Sequence, residues 1–548
     1  MDGHDAVAAI LRDEGVRYLF SFPHSPLIDA CTKVGIRPII GRTERTIINM
    51  ADGVSRVSRG KEIGVVAVQY GPGSENAFGG IAQAFADSTP LIMLAGGYES
   101  QRMGISPMFD TVENYRGVTK WTAQIASVHS IPDRLRRAFA MCRNGKKGPI
   151  VLQLPMDIGS QNFTQSLEGY KQPQTHKSLG DLADIRIVCD LLQESRNPVI
   201  QAGMGILYGN ATEELTNLAE ITNTPVMVTL NGKGAIADSH PLALGLLGKV
   251  GSLPAAHFMA KADLVIGAGA GFSIANQQAE IPRSKRLVQL IDNDTDLYKD
   301  YGLEHAVIGD IKLVLRQITQ ELRSRNAPPK PDPTQEIKQL KTNWLNEWTP
   351  SLESKDQPIN PYRVINELNY QISNTPSIVT HDSGNPRDQM APFWHCEPHS
   401  YYIGWGKSTQ LGYGLGLAYG AKLADPDKLV LNVMGDTAVG MAGMDFETAS
   451  RNNIAVLTVI LNNGAMGGYE THMPAAIEAY QAKYMAGDYA EVAKALGVEA
   501  KKVDVIDDLA STISWGVDVV NSGNPAVIEV ATCERPIVSN YESLFVNP

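Results

Sequence analysis

Cysteine is scarce. The 548 residues hold five, at Cys31, Cys142, Cys189, Cys396 and Cys533, and no two form a CxxC pair. That scatter indicates neither a disulfide framework nor a zinc site, and a reducing, cytoplasmic compartment is the expectation. Long apolar runs are missing too: none approaches the roughly 20 residues needed to cross a bilayer. The opening MDGHDAVAAILRDEG reads as an amphipathic helix without the apolar core of a secretion signal. Nor is there an excess of positive charge. Lys and Arg number 48 against 59 Asp and Glu, a formal net charge of −11. This argues against nucleic acid or an anionic membrane as the main partner. It leaves open a small anionic substrate in a local basic pocket.

What is present is the composition of a globular protein with large cores, 43% hydrophobic and 20% charged. Short β-branched runs alternate with helical stretches. VRYLFSF (16–22), EIGVVAVQY (62–70) and TPLIMLAG (89–96) read as buried strands, and Glu75 to Ala86 as a helix between two of them. This alternation predicts parallel strands joined by crossover helices. Two polar, proline-bearing stretches, Gln161 to Gly180 and Asn326 to Gln335, read as linkers. The expectation is an α/β protein of three doubly wound parallel-sheet domains, at 1–160, 181–325 and 340–548.

The strongest local signal lies between 428 and 463. KLVLNVMGD reads as a strand ending in Gly435-Asp436, followed by a helix from about Gly443 to Arg451. IAVLTVILNN is then a second strand, ending in Asn462-Asn463. Both polar ends fall at the carboxyl ends of parallel strands, where open α/β sheets bind ligands. Gly435 lets a phosphate approach the backbone. Asp436 and Asn463 supply oxygen ligands suited to Mg²⁺ on a diphosphate. A Gly-Asp dipeptide alone is more often only a turn, but the two ends lie one βαβ unit apart.

At this point the chain resembles the thiamine-diphosphate enzymes, whose signature is GDG, a βαβ spacer and NN; Thr437 replaces the last glycine. The resemblance makes Asp436 and Asn463 metal ligands, with the Ala465 carbonyl as a third. Near the N-terminus, TE followed by NMADGVSRVSRG is similar to the acetohydroxyacid-synthase branch. There the glutamate, here Glu44, shares a proton with N1′ of the cofactor's pyrimidine. Without the resemblance, Glu44 reads as a first-turn glutamate favoured by the helix dipole. QYGPGSENAFGGIAQAFADSTPLIMLAGG (69–97) resembles the pyrimidine-facing stretch of this branch, with Gly71 and Asn76 at its turn and first helical turn. HDSGNPRDQM (381–390) brings Gly384 and Asn385 to a strand end beside phosphate. In GKSTQLGYGLGLAYGAKLADPDK, Leu411 takes the position of the apolar wedge that bends the cofactor. The first and third domains are thus expected to bind pyrimidine and diphosphate. Because those parts come from different subunits in the family, a homodimer or homotetramer is implied.

The middle of the chain resembles the family's central domain but lacks the GxRFDDR stretch of FAD-binding relatives. Gly267 to Phe272 stands there instead, so tightly bound FAD is not expected; Asp292, at a strand end, still faces a nucleotide position. On the substrate side the resemblance points to His24 and Ser25 in FPHSP, to Asp110, and to Met466, Tyr469 and His472 in NNGAMGGYETHMP. The implied activity is a lyase or carboligase, acetolactate synthase-like, acting beside the carbonyl of a 2-oxo acid, diketone or acyloin. A 2-hydroxyacyl-CoA or oxalyl-CoA type lyase is an alternative, disfavoured because only Cys533 and residues 534–548 follow the last strand, AVIEVAT. A non-catalytic regulatory relative is another, and the presence of Glu44 argues against it. A nicotinamide or FAD oxidoreductase would rest on the central glycine run alone.

Overall fold

The β-branched runs become central strands because both their faces are covered. Strands β3 (Gly64–Val68) and β4 (Leu91–Gly97) are buried at every position, as parallel sheets require. The computed structural model describes residues 1–535 and 537–546. In those residues lie three six-stranded sheets, with parallel pairing throughout. The first adds β1 (Tyr18–Phe22), β2 (Arg37–Ile40), β5 (Trp121–Gln124) and β6 (Ile150–Pro155), in the order β2-β1-β3-β4-β6-β5. The second holds β7 (Pro198–Ala202), β8 (Val226–Val228), β9 (Ala243–Leu246), β10 (Leu264–Ala268), β11 (Arg286–Ile291) and β12 (His305–Ile308). Its order, β12-β11-β10-β7-β8-β9, is that of dinucleotide-binding sheets. The third holds β13 (Ser377–His381), β14 (Tyr401–Ile403), β15 (Leu429–Gly435), β16 (Leu457–Asn462), β17 (Glu499–Val503) and β18 (Ala526–Ala531). Its order, β14-β13-β15-β16-β18-β17, repeats that of the first.

The predicted strands at 16–22, 62–70 and 89–96 correspond to β1, β3 and β4. One helix begins earlier than the sequence suggests, and one is not expected from it. The helix expected from Glu75 starts at Pro72, where a missing N–H costs nothing. The helix expected from Gly443 to Arg451 corresponds to Phe446–Asn452, and a separate helix, Asp436–Ala442, precedes it directly after β15. A 3₁₀ turn at Gly443–Asp445 joins the two. An acid in the first turn suits the helix dipole. The second predicted linker overlaps the helix Thr334–Leu352, whose Trp344 stacks on Phe393 at 5.0 Å.

The first and third sheets meet through two helices, Glu44–Val57 and Tyr413–Ala424, whose backbones nearly touch. A Cβ on Gly420 would lie 1.9 Å from the Met50 carbonyl oxygen, and one on Gly53 would lie 2.3 Å from that of Leu417. Only glycine permits this approach. A buried ion network lies beside the contact. Arg56 pairs with Asp52 at 2.5 Å and with Asp87 at 3.1 Å, and Tyr413 donates its hydroxyl to Asp52 at 2.7 Å. Asp87 also accepts from the Asn231 amide at 3.1 Å and the Lys407 backbone N–H at 3.3 Å. One buried carboxylate therefore ties all three sheets together. Removing it would leave Arg56 paired with Asp52 alone and would take the acceptor from the Asn231 amide and the Lys407 N–H.

Candidate active site

Strands β13, β15 and β16 are neighbours, and their carboxyl ends open into a cleft of about 700 Å³. Gly384 and Asn385 line it from the turn after β13, and Gly435, Asp436 and Thr437 from the end of β15. Asn463, Ala465 and Met466 line it from the end of β16, with Leu411 and His472 from two loops. The predicted diphosphate and metal residues thus converge on one space. Gly384 holds φ at +83°, a conformation that favours glycine.

Asp436 is buried and its position is fixed. Oδ1 accepts from the Thr437 N–H at 2.6 Å, and Oδ2 from the Gly464 N–H at 2.9 Å. Burial raises its carboxyl above the usual range, against the pull of these donors. Asn463 Oδ1 accepts from the Ala465 N–H at 3.1 Å. Among the described residues, no group of three His, Cys, Asp or Glu is placed to hold a metal. An ion at Asp436 and Asn463 therefore needs oxygens from a ligand to complete its shell.

Beyond Asn463 the chain doubles back over the cleft. Ala465 bridges antiparallel to Tyr484, Met466 N–H donates to Lys483 O at 2.9 Å, and Met485 N–H donates to Gly464 O at 2.8 Å. Lys483 fastens this hairpin through Glu534, at 2.8 Å, and Glu470. His472 is exposed at the rim, with Nδ1 3.1 Å from the Gly468 carbonyl and its ring centroid 6.0 Å from that of Tyr469.

The remaining predicted residues lie in the first domain, outside this cleft. Glu44 opens the helix Glu44–Val57 behind the N-cap Thr43 and is only 4% exposed. Asn76, on the helix Pro72–Ala86, donates to it at 3.3 Å. Burial raises the Glu44 carboxyl; its own backbone N–H and Asn76 pull the other way. Gly71 turns at φ +60° against Tyr98, whose hydroxyl would lie 2.7 Å from an added Cβ. His24 stands at the N-cap position of the helix Ser25–Lys33 without a side-chain capping bond, and its Nδ1 is buried with no hydrogen-bond partner among the described residues. Burial, and then the neighbouring His4, push its pKa down to about 4. Ser25 is exposed at the first position of that helix. Asp110 caps the helix Thr111–Tyr115, accepting from the Glu113 N–H at 2.9 Å.

Sequence reasoning missed Asn276 and Gln277, which reach the cleft from the middle domain, and the buried Asp382 beside it. None of these stands in a recognisable motif position for a ligand. A second cleft, of about 170 Å³, opens at the middle sheet, lined by Gly203, Gly205, Gly269, Asp292, Lys147 and Lys407 among others. Phe272, at φ +42°, folds its ring back onto Gly267.

Known proteins resemble the chain along its length. Residues 1–125 match the family described as thiamine pyrophosphate enzyme, N-terminal TPP binding domain. Residues 185–318 match its central domain, and 382–530 its C-terminal TPP binding domain. The probable acetolactate synthase large subunit of Methanocaldococcus jannaschii is 29% identical over 97% of this chain and 92% of its own. The acetolactate synthase large subunit of Buchnera aphidicola subsp. Acyrthosiphon pisum is 30% identical over 85% of this chain and 83% of its own. Escherichia coli acetolactate synthase isozyme 3 large subunit is 27% identical, over 97% and 94%.

Proposed function

The chain belongs to the thiamine pyrophosphate enzymes, on the acetolactate synthase branch, and on that premise we propose a homo-oligomeric, Mg²⁺-dependent, cytoplasmic carboligase whose donor is a small 2-oxo acid. The observation that carries this reading is the convergence of Gly384, Asn385, Leu411, Asp436, Asn463 and Met466 on one cleft. The donor set fits the cofactor: one carboxylate, one amide and a nearby carbonyl form an incomplete oxygen shell that a diphosphate completes. Thiamine diphosphate, when bound, supplies the electron sink for breaking or making a bond beside a carbonyl.

The residues then divide the work. Asp436, Asn463 and the Ala465 carbonyl hold the metal. Gly384, Asn385, Gly435 and Thr437 would hold the diphosphate, and Leu411 and Met466 would supply apolar contact to the rest of the cofactor. Glu44, desolvated and braced by Asn76, holds the proton exchanged with N1′ of the pyrimidine, which Gly71 faces. His24, Ser25, Asp110 and His472 surround the substrate. The C1–C2 bond of the 2-oxo acid breaks, the carboxylate leaves as CO₂, and the acyl fragment is passed to a proton or to an acceptor carbonyl carbon.

Glu44 does not line the cleft of its own chain, which supports a site completed by a second copy. Tyr70, Phe78, Phe85, Met441 and Met444 are more than a third exposed, and exposed apolar surface of this kind suits an interface. Five free cysteines, four of them buried, accord with a reducing compartment. FAD has no part in this reading, since the central glycine run lacks the acids and arginine of FAD-binding relatives.

The test is product analysis. Purified protein with Mg²⁺ and thiamine diphosphate is offered pyruvate, a 1,2-diketone and an acyloin. Release of CO₂ from pyruvate with a carboligation product is expected. Conversion of none of the three by cofactor-loaded protein would defeat the reading.

A further inference from the structure

Asp382 is fully buried at the end of β13, and its carboxylate gathers three backbone N–H groups. Oδ1 accepts from Ser383 at 2.8 Å and from Gly412 at 2.9 Å; Oδ2 accepts from Gly414 at 2.9 Å. Its own N–H donates to Val433 O, on β15, at 2.7 Å. A single residue thus connects three parts of the site: its side chain joins the turn bearing Gly384 and Asn385 to the loop bearing Leu411, and its backbone N–H joins both to the strand ending in Gly435. The next residue adds a second tether: Ser383 Oγ donates to the Thr409 carbonyl at 3.1 Å. Leu411 is therefore held on both sides, through Thr409 before it and Gly412 after it. Gly412 sits at φ +82°, and a Cβ on Gly414 would lie 2.4 Å from the His381 carbonyl oxygen, so the loop has little freedom to take another path.

We propose that Asp382 is a positioning residue, fixing Leu411 relative to the Gly384–Asn385 turn and thereby setting how the cofactor's two rings are bent. The inference rests on the thiamine-diphosphate reading of the cleft. Three donors converge on two oxygens, an arrangement that an ionised carboxylate satisfies. An amide of the same shape has one oxygen, and its NH₂ would face at least one N–H.

The experiment is Asp382→Asn in the full-length protein. In the apoprotein, deuterium exchange at the Gly412 and Gly414 amides should speed up by about tenfold or more, because the loop opens more often. Thiamine diphosphate with Mg²⁺ should still bind by calorimetry, since Asp436 and Asn463 are untouched. Per bound cofactor, exchange of the C2 proton should slow by about 10- to 100-fold, the scale of a small misplacement. The loss should be non-additive with Leu411→Ala, because one residue acts through the other. Wild-type C2 exchange in the variant, or full additivity, would overturn the proposal and leave the family reading standing. A wild-type protein that binds no thiamine diphosphate would overturn both. Should Asp382→Asn not fold, Ser383→Ala loosens the same loop at Thr409 and must show the same non-additivity; additivity there also overturns the proposal.

Discussion

Asn76 Nδ2 donates to Glu44 Oε2 at 3.3 Å, from one helix of the first domain to another. The contact joins the first residue of the helix after β2 to the fifth residue of the helix after β3. It orients a carboxylate that is otherwise withdrawn from water. The two effects on the proton oppose each other: burial favours the neutral acid, and the amide favours the ion. Burial prevails and the carboxyl is raised, which suits a group that shares a proton with a ring nitrogen.

The metal assignment predicts the outcome of Asp436→Ala. Loss of the single anionic ligand should abolish Mg²⁺-dependent cofactor binding, read by calorimetry, and activity with it. The wild type, stripped by chelation, should recover when Mg²⁺ and thiamine diphosphate are returned. Full activity of the variant without added metal would refute the assignment.

A site completed between chains predicts a dimer or larger at working concentration. Sedimentation velocity on the loaded protein measures this. A fully active monomer would contradict the shared site.

Close packing of the two interdomain helices predicts that Gly420→Ala is poorly tolerated. A Cβ 1.9 Å from a carbonyl oxygen forces the backbones apart. Overpacking of this kind costs about 1–3 kcal/mol or more, and chemical unfolding should show a lowered midpoint. An unchanged midpoint would mean that the helices are free to separate.

His24 predicts a pH effect with a definite sign. The unfolded chain protonates a histidine near its ordinary value, about 6.5, whereas the folded ring resists protonation until about 4. Between these values the unfolded state binds more protons, so this group's contribution to stability is lost as pH falls. Relative to the wild type, His24→Gln should therefore gain stability as pH drops from about 6.5 to about 4. Parallel urea-midpoint profiles of the two proteins would contradict the burial of this ring.

Much of the third domain was legible in the sequence because its chemistry is local. Gly435-Asp436 and Asn462-Asn463 each end a strand, and the order of strands in a doubly wound sheet puts such ends side by side. The start of the helix at Asp436 was not legible, since glycines at 440 and 443 masked the helical pattern that Ala438, Val439 and Ala442 complete. The union of Gly53 with Gly420 was out of reach as well. A glycine in a helix weakens the local signal, and its purpose appears only when a distant helix lies against it. The half-burial of His24 was hidden for the same reason: its loop follows β1, but the ring packs against His4 and Gly96. Asp382 drew no reading from the sequence, because the Gly412 and Gly414 donors that define its role lie about 30 residues further along the chain.

Proton movement at the cofactor rests on Glu44, and Glu44→Gln is the variant that probes it. Glutamine keeps the size and can still accept from Asn76 but cannot take up the proton. Folding and metal-dependent cofactor binding should survive, because Asp436 and Asn463 are unchanged. The measurement is exchange of the cofactor's C2 proton with deuterated water, timed, acid-quenched and read by NMR. Slowing by about 10²-fold or more, the scale of losing a general acid–base partner, is the predicted result. Exchange at the wild-type rate would make Glu44 a helix-start glutamate and would contradict the account.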